Sequence, residues 1–291
     1  MKPLVTVIIP VYNHAVYVKE TLDSVYHQTY GYENIQLIVI DDCSTDNSAA
    51  VIKACQKQYS FTFIENKTNK GVCFNFSLGI DLAEGKYICG AGSDDYWELN
   101  KITRQVAYLE ANPQVAVCSG NVTRIDSEGN ALPPKAQIVA PERTYGFREV
   151  FLRDFPFSTI VAMTRKAVLD QMGGYPEGLK VEDYYMWLKI AHMGYQLHML
   201  PDRLGYYRIH STNTIHKSWM IYTELRKILA EYTNHPLYPQ ALRRLKVVYF
   251  PQIAQLHRIK ALGLLPAAIS NTRFFYRGLY YLLTAKKSTY V

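Results

Sequence analysis

The chain has 291 residues, a formal net charge of +7, 48% hydrophobic and 20% charged residues. That balance excludes a disordered chain and allows one large domain, or one domain with an appendage. No apolar run reaches the length of a membrane span, and five cysteines without CxxC or zinc spacing read as free thiols of a cytosolic protein.

Met1-Lys2-Pro3-Leu4 leads directly into an apolar strand, Val5 to Ile9, that stops at Pro10, so no signal peptide is expected. Ala15 to Gln28 is predicted helical, with Val18, Leu22 and Val25 on one stripe. Ile35 to Ile40 is a second apolar strand ending in Asp41-Asp42, and Asp46 is a cap candidate for a helix over 47–58. A short strand at 61–65, a helix over 72–83 and a buried strand at 86–89 follow. The last strand runs into Gly92-Ser93-Asp94-Asp95-Tyr96-Trp97, ahead of a helix over 100–110. Three strands thus place polar residues at one sheet edge. Open α/β sheets hold ligands there, and a carboxylate pair suits a divalent cation bridging a diphosphate.

Further strands are expected at 115–119 and 122–125, the second ending in the turn Ser127-Glu128-Gly129-Asn130. A Pro- and Ala-rich loop covers 131–142, with a helix at 144–153 and a strand at 159–163. A helix from Arg165 to Met172 is stopped by Gly173-Gly174. Another helix covers 182–193, and one or two strands cover 195–209. Beyond Lys217 the pattern is helical, with a stripe of Leu242, Leu245, Tyr249, Ile253 and Leu256. Pro251 is expected to kink or break that helix. A last aromatic segment begins at Pro266 and ends near Lys286-Lys287.

The ordered motifs Pro10-Val11-Tyr12-Asn13, Asp41-Asp42-Cys43-Ser44-Thr45-Asp46, Asn69-Lys70-Gly71, Ser93-Asp94-Asp95 and Glu182-Asp183 resemble those of the family 2 glycosyltransferases. Tyr207-Arg208-Ile209-His210, followed by Asn213, is similar to the motif that closes that domain. The match runs from about residue 4 to 215. It implies an α/β GT-A fold, Rossmann-like, with a mostly parallel sheet flanked by helices, over residues 1–216. Residues 217–291 form a basic, aromatic helical appendage. It also implies an inverting, metal-dependent enzyme acting on a nucleotide sugar.

The resemblance distributes roles among these residues. Pro10, Tyr12, Asn13, Asn69, Lys70 and Ser93 fall on the nucleotide side, where Tyr12 can stack on a base. Asp41 or Asp42 accepts the imide N–H of uracil or thymine. Asp94 takes the metal-binding last position of Asp-x-Asp, with Asp95 in support and His210 as a late metal or diphosphate contact. The cofactor is then Mn²⁺ or Mg²⁺. Asp183, opening a helix after a Gly- and Pro-containing loop, is the general base for an acceptor hydroxyl. Glu182, Trp187 and Arg208 fall on the sugar or acceptor side. Two departures stand out. Gly92 occupies the first position of the Asp triplet, and Phe76-Ser77-Leu78-Gly79 lacks the family's Arg-Asn.

Charge is uneven: residues 201–291 carry 14 Lys+Arg against 3 Asp+Glu. Such a tail can meet anionic lipid, nucleic acid or an anionic glycan, or pack as plain helix; the expected setting is cytoplasmic, with a peripheral place on the inner membrane face left open. Nucleic acid is not an expected partner, and an oligomer is possible. The leading reading is transfer from a UDP-sugar to a glycan or lipid-linked saccharide during surface polysaccharide synthesis. A non-catalytic nucleotide-sugar or glycan-binding module stays open, with Gly92 as its one hint. An NDP-sugar nucleotidyltransferase would need a Gly-rich basic loop after the first strand, and Pro10-Val11-Tyr12-Asn13-His14 is not one.

Overall fold

A computed structural model describes residues 1–211, 213 and 217–284. The chain packs as two compact units: Met1–Phe147 with Pro156–His210, and Arg148–Phe155 with Ser211–Val291.

The first unit is built on one sheet. Its strands are β1 (Val5–Val11), β2 (Ile35–Asp41), β3 (Thr62–Glu65), β4 (Tyr87–Gly90), β5 (Tyr96–Trp97), β6 (Val115–Ile125), β7 (Arg143–Tyr145), β8 (Met163–Arg165) and β9 (Gln196–Arg208). Their order is β3-β2-β1-β4-β8-β6-β9-β5, with β7 also on β9. The β3-β2-β1-β4 half is parallel, in register from Val5↔Ile35 to Val11↔Asp41 and from Val5↔Tyr87 to Ile8↔Gly90. Val and Ile dominate β1 and β2 because both faces are buried, as a parallel sheet requires. The other half is mixed: β8 runs antiparallel to both β4 and β6, while β6 and β9 are parallel.

Helices α1 (Val18–Tyr26), α2 (Ser48–Gln56), α3 (Val72–Asp81) and α4 (Lys101–Ala111) alternate with the early strands, as right-handed βαβ connections demand. After them in the chain come α5 (Phe147–Phe151), which falls almost wholly in the second unit, and then α6 (Lys166–Met172) and α7 (Glu182–His192) of the first. The core joins Val5, Val7, Ile9 and Val11 to Leu22, Val25, Ile102 and Leu109. Two cations, Lys101 and Arg208, lie buried in this unit among the described residues. Lys101 is fully buried, its Nζ 3.7 Å from the Trp97 ring centre and 3.4 Å from Cys89 Sγ. Burial pushes its ammonium pKa down.

Three expectations are corrected in this unit, and one short strand is added to them. The strands expected at 115–119 and 122–125 are one, β6, bent by register shifts between Ser119 and Val122. The helix expected over 144–153 begins as strand β7, because Tyr145 pairs with Leu197. The strand expected over 159–163 is a 3₁₀ turn at Thr159–Val161, and the strand proper is β8. The two-residue β5, pairing Tyr96 with Tyr206, has no periodicity that a sequence reading can detect.

In the second unit, α8 (Ser218–Ala230), α9 (Tyr238–Leu256), α10 (Arg258–Leu262), α11 (Leu265–Ala268) and α12 (Thr272–Thr284) pack around α9. Here α9 continues through Pro251. The proline gives up the N–H that would reach the Val247 carbonyl, a loss of about 3 kcal/mol. Burial of Leu245, Phe250, Pro251, Ile253 and Ala254 outweighs it. Leu256, expected on the buried stripe, is exposed. Lys286-Lys287, where the aromatic segment was expected to end, lie outside the described residues.

Candidate active site

The C-terminal ends of β1, β2 and β4 share one edge. Val11 accepts the Asp42 N–H at 2.8 Å, and Ala91 donates to the Ile8 carbonyl at 3.1 Å. Pro10 lies within β1 opposite Ile40, one residue before the strand ends. Asn13 takes a left-handed φ of 57°, which asparagine tolerates better than most residues. Its Oδ1 accepts the Thr45 N–H at 2.7 Å and its own N–H donates to Ser44 Oγ at 2.9 Å. Asn13 therefore binds two loops together. Tyr12 leaves 46% of its surface exposed, which favours a stacking ring over a core residue.

Asp41 and Asp42 divide their work. Asp42 Oδ1 accepts the Lys70 N–H at 2.7 Å and an Asn66 amide hydrogen at 2.9 Å, and Oδ2 accepts the Gly71 N–H at 2.8 Å. Asn69 donates to the Asp42 carbonyl at 3.2 Å. That carboxylate is spent on its loop. Asp41 Oδ2 accepts the Ser44 N–H at 3.0 Å, while its buried Oδ1 has no hydrogen-bond partner among the described residues. An orphaned buried carboxylate oxygen is costly. Lys70 is exposed, with Nζ 5.9 Å from the Phe74 ring centre.

The Gly92–Asp95 loop repeats the division. Asp95 turns inward: it is buried, and its Oδ1 accepts the Arg208 N–H at 2.7 Å. Burial, then the neighbouring Asp94 charge, push its pKa well up, with Arg208 opposing. It braces the loop from within. Arg208 is buried, donating to the Asp94 carbonyl at 2.9 Å and to Glu20 at 2.5 Å, with its guanidinium 4.7 Å from the Tyr17 ring centre. It holds this loop from behind. A Cβ at Gly92 would lie 2.5 Å from Asp95 Oδ2 and 3.0 Å from Asp94 Oδ1. The missing first Asp therefore fits a loop whose two carboxylates already fill that space.

Asp94 points elsewhere. His210 Nε2 lies 2.9 Å from its Oδ2, and His14 Nδ1 lies 3.9 Å from its Oδ1. One donor atom from each of the three residues falls within 4.8 Å of the others. The two imidazoles meet edge to face at 5.7 Å, and Tyr17 stacks on His210 at 5.3 Å. Ser93, placed with the nucleotide by the sequence reading, is buried with Oγ 2.7 Å from His14 Nδ1. Burial lowers the His14 pKa, His210 adds to this and Asp94 opposes it. A largely neutral imidazole is the form that ligates. Two nitrogens and a carboxylate oxygen fit a first-row divalent ion such as Mn²⁺ better than the all-oxygen Mg²⁺ preference. The sequence reading missed His14. Its signal was a histidine directly after a strand-end Tyr-Asn, at the edge where the acidic loops converge.

Asp183 stands in the first turn of α7. It accepts the Thr159 hydroxyl at 3.0 Å and the Tyr184 N–H at 2.5 Å. Burial raises the pKa of the Tyr207 phenol, with the charges of Asp95, Asp94 and Asp183 adding to this and Arg124 opposing it. Glu182 points into a recess with Phe76, Tyr175 and Met186. Burial, then Asp183, raise its pKa to about 8. Trp187 is buried edge-on to Phe157 at 5.7 Å, so it is a core residue and not a sugar platform.

Several known proteins are similar to this chain. An uncharacterized protein of Mycobacterium tuberculosis is 29% identical over 222 residues, covering 74% of this chain and 61% of that protein. The chain thus spans under two thirds of that relative's length. The putative teichuronic acid biosynthesis glycosyltransferase TuaG of Bacillus subtilis is 24% identical, covering 78% of this chain and 90% of TuaG. Among solved structures, S. aureus TarS in complex with UDP-GlcNAc superposes with a TM-score of 0.67 at 20% identity, covering 97% and 81% of the two chains. The mannosyltransferase PcManGT from Pyrobaculum calidifontis, in complex with GDP-Man and Mn²⁺, gives 0.65 at 19% identity, covering 98% and 86%. The fold is the expected GT-A fold. The family model of glycosyl transferase family 2 matches residues 6–173, more than half the chain. With its acidic loops gathered at one sheet edge, the chain belongs to glycosyl transferase family 2.

Proposed function

We propose that this chain is an inverting, metal-dependent glycosyltransferase using a nucleotide-diphosphate sugar, with a UDP-sugar as donor. The observation that carries this reading is Asp94 set between His14 and His210 at the edge where β1, β2 and β4 end. Tyr12 stacks on the base, and the orphaned Asp41 Oδ1 accepts its N–H. Asn69 and Lys70 lie beside the phosphates. Bound by Asp94 and the two histidines, Mn²⁺ or Mg²⁺ would neutralise the charge that grows on the departing diphosphate.

Asp183 takes the proton of the acceptor hydroxyl, oriented by the Thr159 hydroxyl. The acceptor is a glycan or lipid-linked saccharide of a surface polysaccharide, a class supported by the printed name of TuaG. The setting proposed is the cytoplasmic side of the membrane. Donor hydrolysis screened across UDP-, dTDP- and GDP-sugars with Mn²⁺ and Mg²⁺ is the test. Metal-dependent release of UDP is expected. Donor binding without hydrolysis or transfer under any condition would favour the non-catalytic module.

A further inference from the structure

In α12, Tyr276, Tyr280 and Leu283 recur at helical spacing and leave 65%, 48% and 75% of their surface exposed. The helix is also buried on another side. Tyr281 is covered, and a Cβ on Gly278 would collide with the Phe250 ring of α9. So α12 is apolar on two faces, and only one of them has its core. Arg273 and Arg277, both exposed, border the uncovered stripe. Nearby, Ile259 (85%) and Leu262 (57%) of α10 are exposed alongside Arg258 and Lys260. An Arg258 guanidinium hydrogen reaches the Tyr281 carbonyl at 3.4 Å, which joins the start of α10 to the last turns of α12.

The charge around this face has one sign. From residue 232 to 291 the sequence holds nine Lys+Arg and neither Asp nor Glu. The basic residues do not all serve one purpose: Arg244 on α9 pairs with Asp154 of the same unit at 2.8 Å. Lys260 lies over the Trp219 ring at 4.6 Å, whereas Arg258, Arg273 and Arg277 sit beside exposed aliphatic and tyrosine side chains.

We infer that α12, with α10, forms a lipid-docking face of the second unit that lies in the headgroup layer of an anionic bilayer. Exposed apolar anchors with basic flanks are what an interfacial helix requires, and tyrosine suits the wet boundary. The face lies on the membrane rather than spanning it. At 13 residues, α12 covers roughly 20 Å, short of the ~30 Å hydrocarbon core. Among the described residues no helix is long and apolar enough to cross. An acidic protein surface would match the charge but would leave Ile259 and Leu283 without an acyl-like environment. The inference rests on this helical unit alone and is independent of the glycosyl-transfer reading.

The test is flotation of the full chain with vesicles of phosphatidylcholine containing about 30% phosphatidylserine, beside vesicles of phosphatidylcholine alone. Each Lys or Arg near an anionic surface strengthens partitioning about fivefold, and salt screens it. Binding to the anionic vesicles at low salt is expected, with release at high salt. Arg273→Gln/Arg277→Gln should weaken it by more than tenfold. Tyr276→Ser/Leu283→Ser should weaken it comparably without altering the salt dependence. Circular dichroism melts and donor hydrolysis report that the variants remain folded. No flotation, equal flotation with both vesicles, or full binding by both double variants would overturn the inference. Self-association abolished by the same variants, without flotation, would assign the face to a second copy of the chain instead.

Discussion

The two acidic loops at the sheet edge look alike in sequence and act differently in space. In Asp41-Asp42 and in Asp94-Asp95 the second carboxylate turns inward and braces its loop. Asp42 holds the Lys70 and Gly71 N–H groups, and Asp95 holds the Arg208 N–H. The first carboxylate of each pair is the one presented. Asp41 offers one unpaired oxygen in a buried setting, suited to a neutral N–H donor. Asp94 stands between two imidazoles, suited to a cation. Glu182-Asp183 reverses the order: the first carboxyl is buried in a recess and the second stands at the helix terminus. The reason is local geometry. Asp42 directly follows β2 and Asp95 directly precedes β5, and in both loops the second residue faces back beneath the loop. Entering α7, it is the first residue that points down.

The widest separation between presented and bracing carboxylates is expected at Asp94 and Asp95. Asp94→Asn should lower transfer by at least about 10³-fold, since metal-assisted stabilisation of the leaving diphosphate is worth several kcal/mol. Asp95→Asn should stay within about tenfold. Its amide oxygen can still accept the Arg208 N–H, and burial already disfavours charge there. Turnover and calorimetric Mn²⁺ affinity of both variants check this, and equal losses would erase the distinction. At the third pair, Asp183→Asn should lower kcat by about 10²–10⁴-fold with donor binding nearly unchanged. A variant that turns over normally with its acceptor would place the base elsewhere.

The first loop should show its bracing carboxylate as a stability effect. Asp42→Ala strands the Lys70 and Gly71 N–H groups and an Asn66 amide, so about 2–4 kcal/mol should be lost. Urea unfolding measures it, and a loss below about 1 kcal/mol would mean that solvent replaces the carboxylate. His14→Ala should weaken Mn²⁺ binding by about 10–100-fold while leaving Mg²⁺ affinity less affected, because a nitrogen ligand favours the softer ion. Parallel titrations with the two ions read this preference directly.

Much of the parallel half was legible because it obeys short-range rules. Val5 to Ile9 and Ile35 to Ile40 are β-branched runs of strand length, and their polar termini mark the sheet edge. The Asp94 loop was legible for the same reason. What escaped depends on contacts distant in sequence. Nothing near His14 announces that His210, almost two hundred residues on, will come to face it across Asp94. Arg208 and Trp187 carry residue types common at sugar sites, yet burial gives both to the interior. Strand β7 lies in a segment with a helical pattern and is a strand only because β9 provides an edge. Local sequence thus indicated where a site would form, and tertiary packing decided which member of each pair enters it.

The smallest effect per unit change tests the buried member of the reversed pair. Burial and Asp183 raise the Glu182 pKa from 4.5 to about 8. Between those values the unfolded chain has released the proton while the folded chain keeps it. The folded state therefore binds more protons, and stability must fall as pH rises. This contribution is fully present below about pH 4.5 and is lost as pH climbs through about 8, at a slope of at most about 1.4 kcal/mol per pH unit. Glu182→Gln mimics the protonated carboxyl and removes the titration. Denaturant midpoints measured from pH 5 to 8.5 should decline less steeply for the variant than for the parent, with the two converging at the acidic end. Parallel profiles would show that the carboxylate is already ionised near neutrality, and the recess would then have to accommodate a charge. That outcome would make Glu182 a presented group like Asp183, and the division of labour seen in the strand-end loops would not extend to the helix.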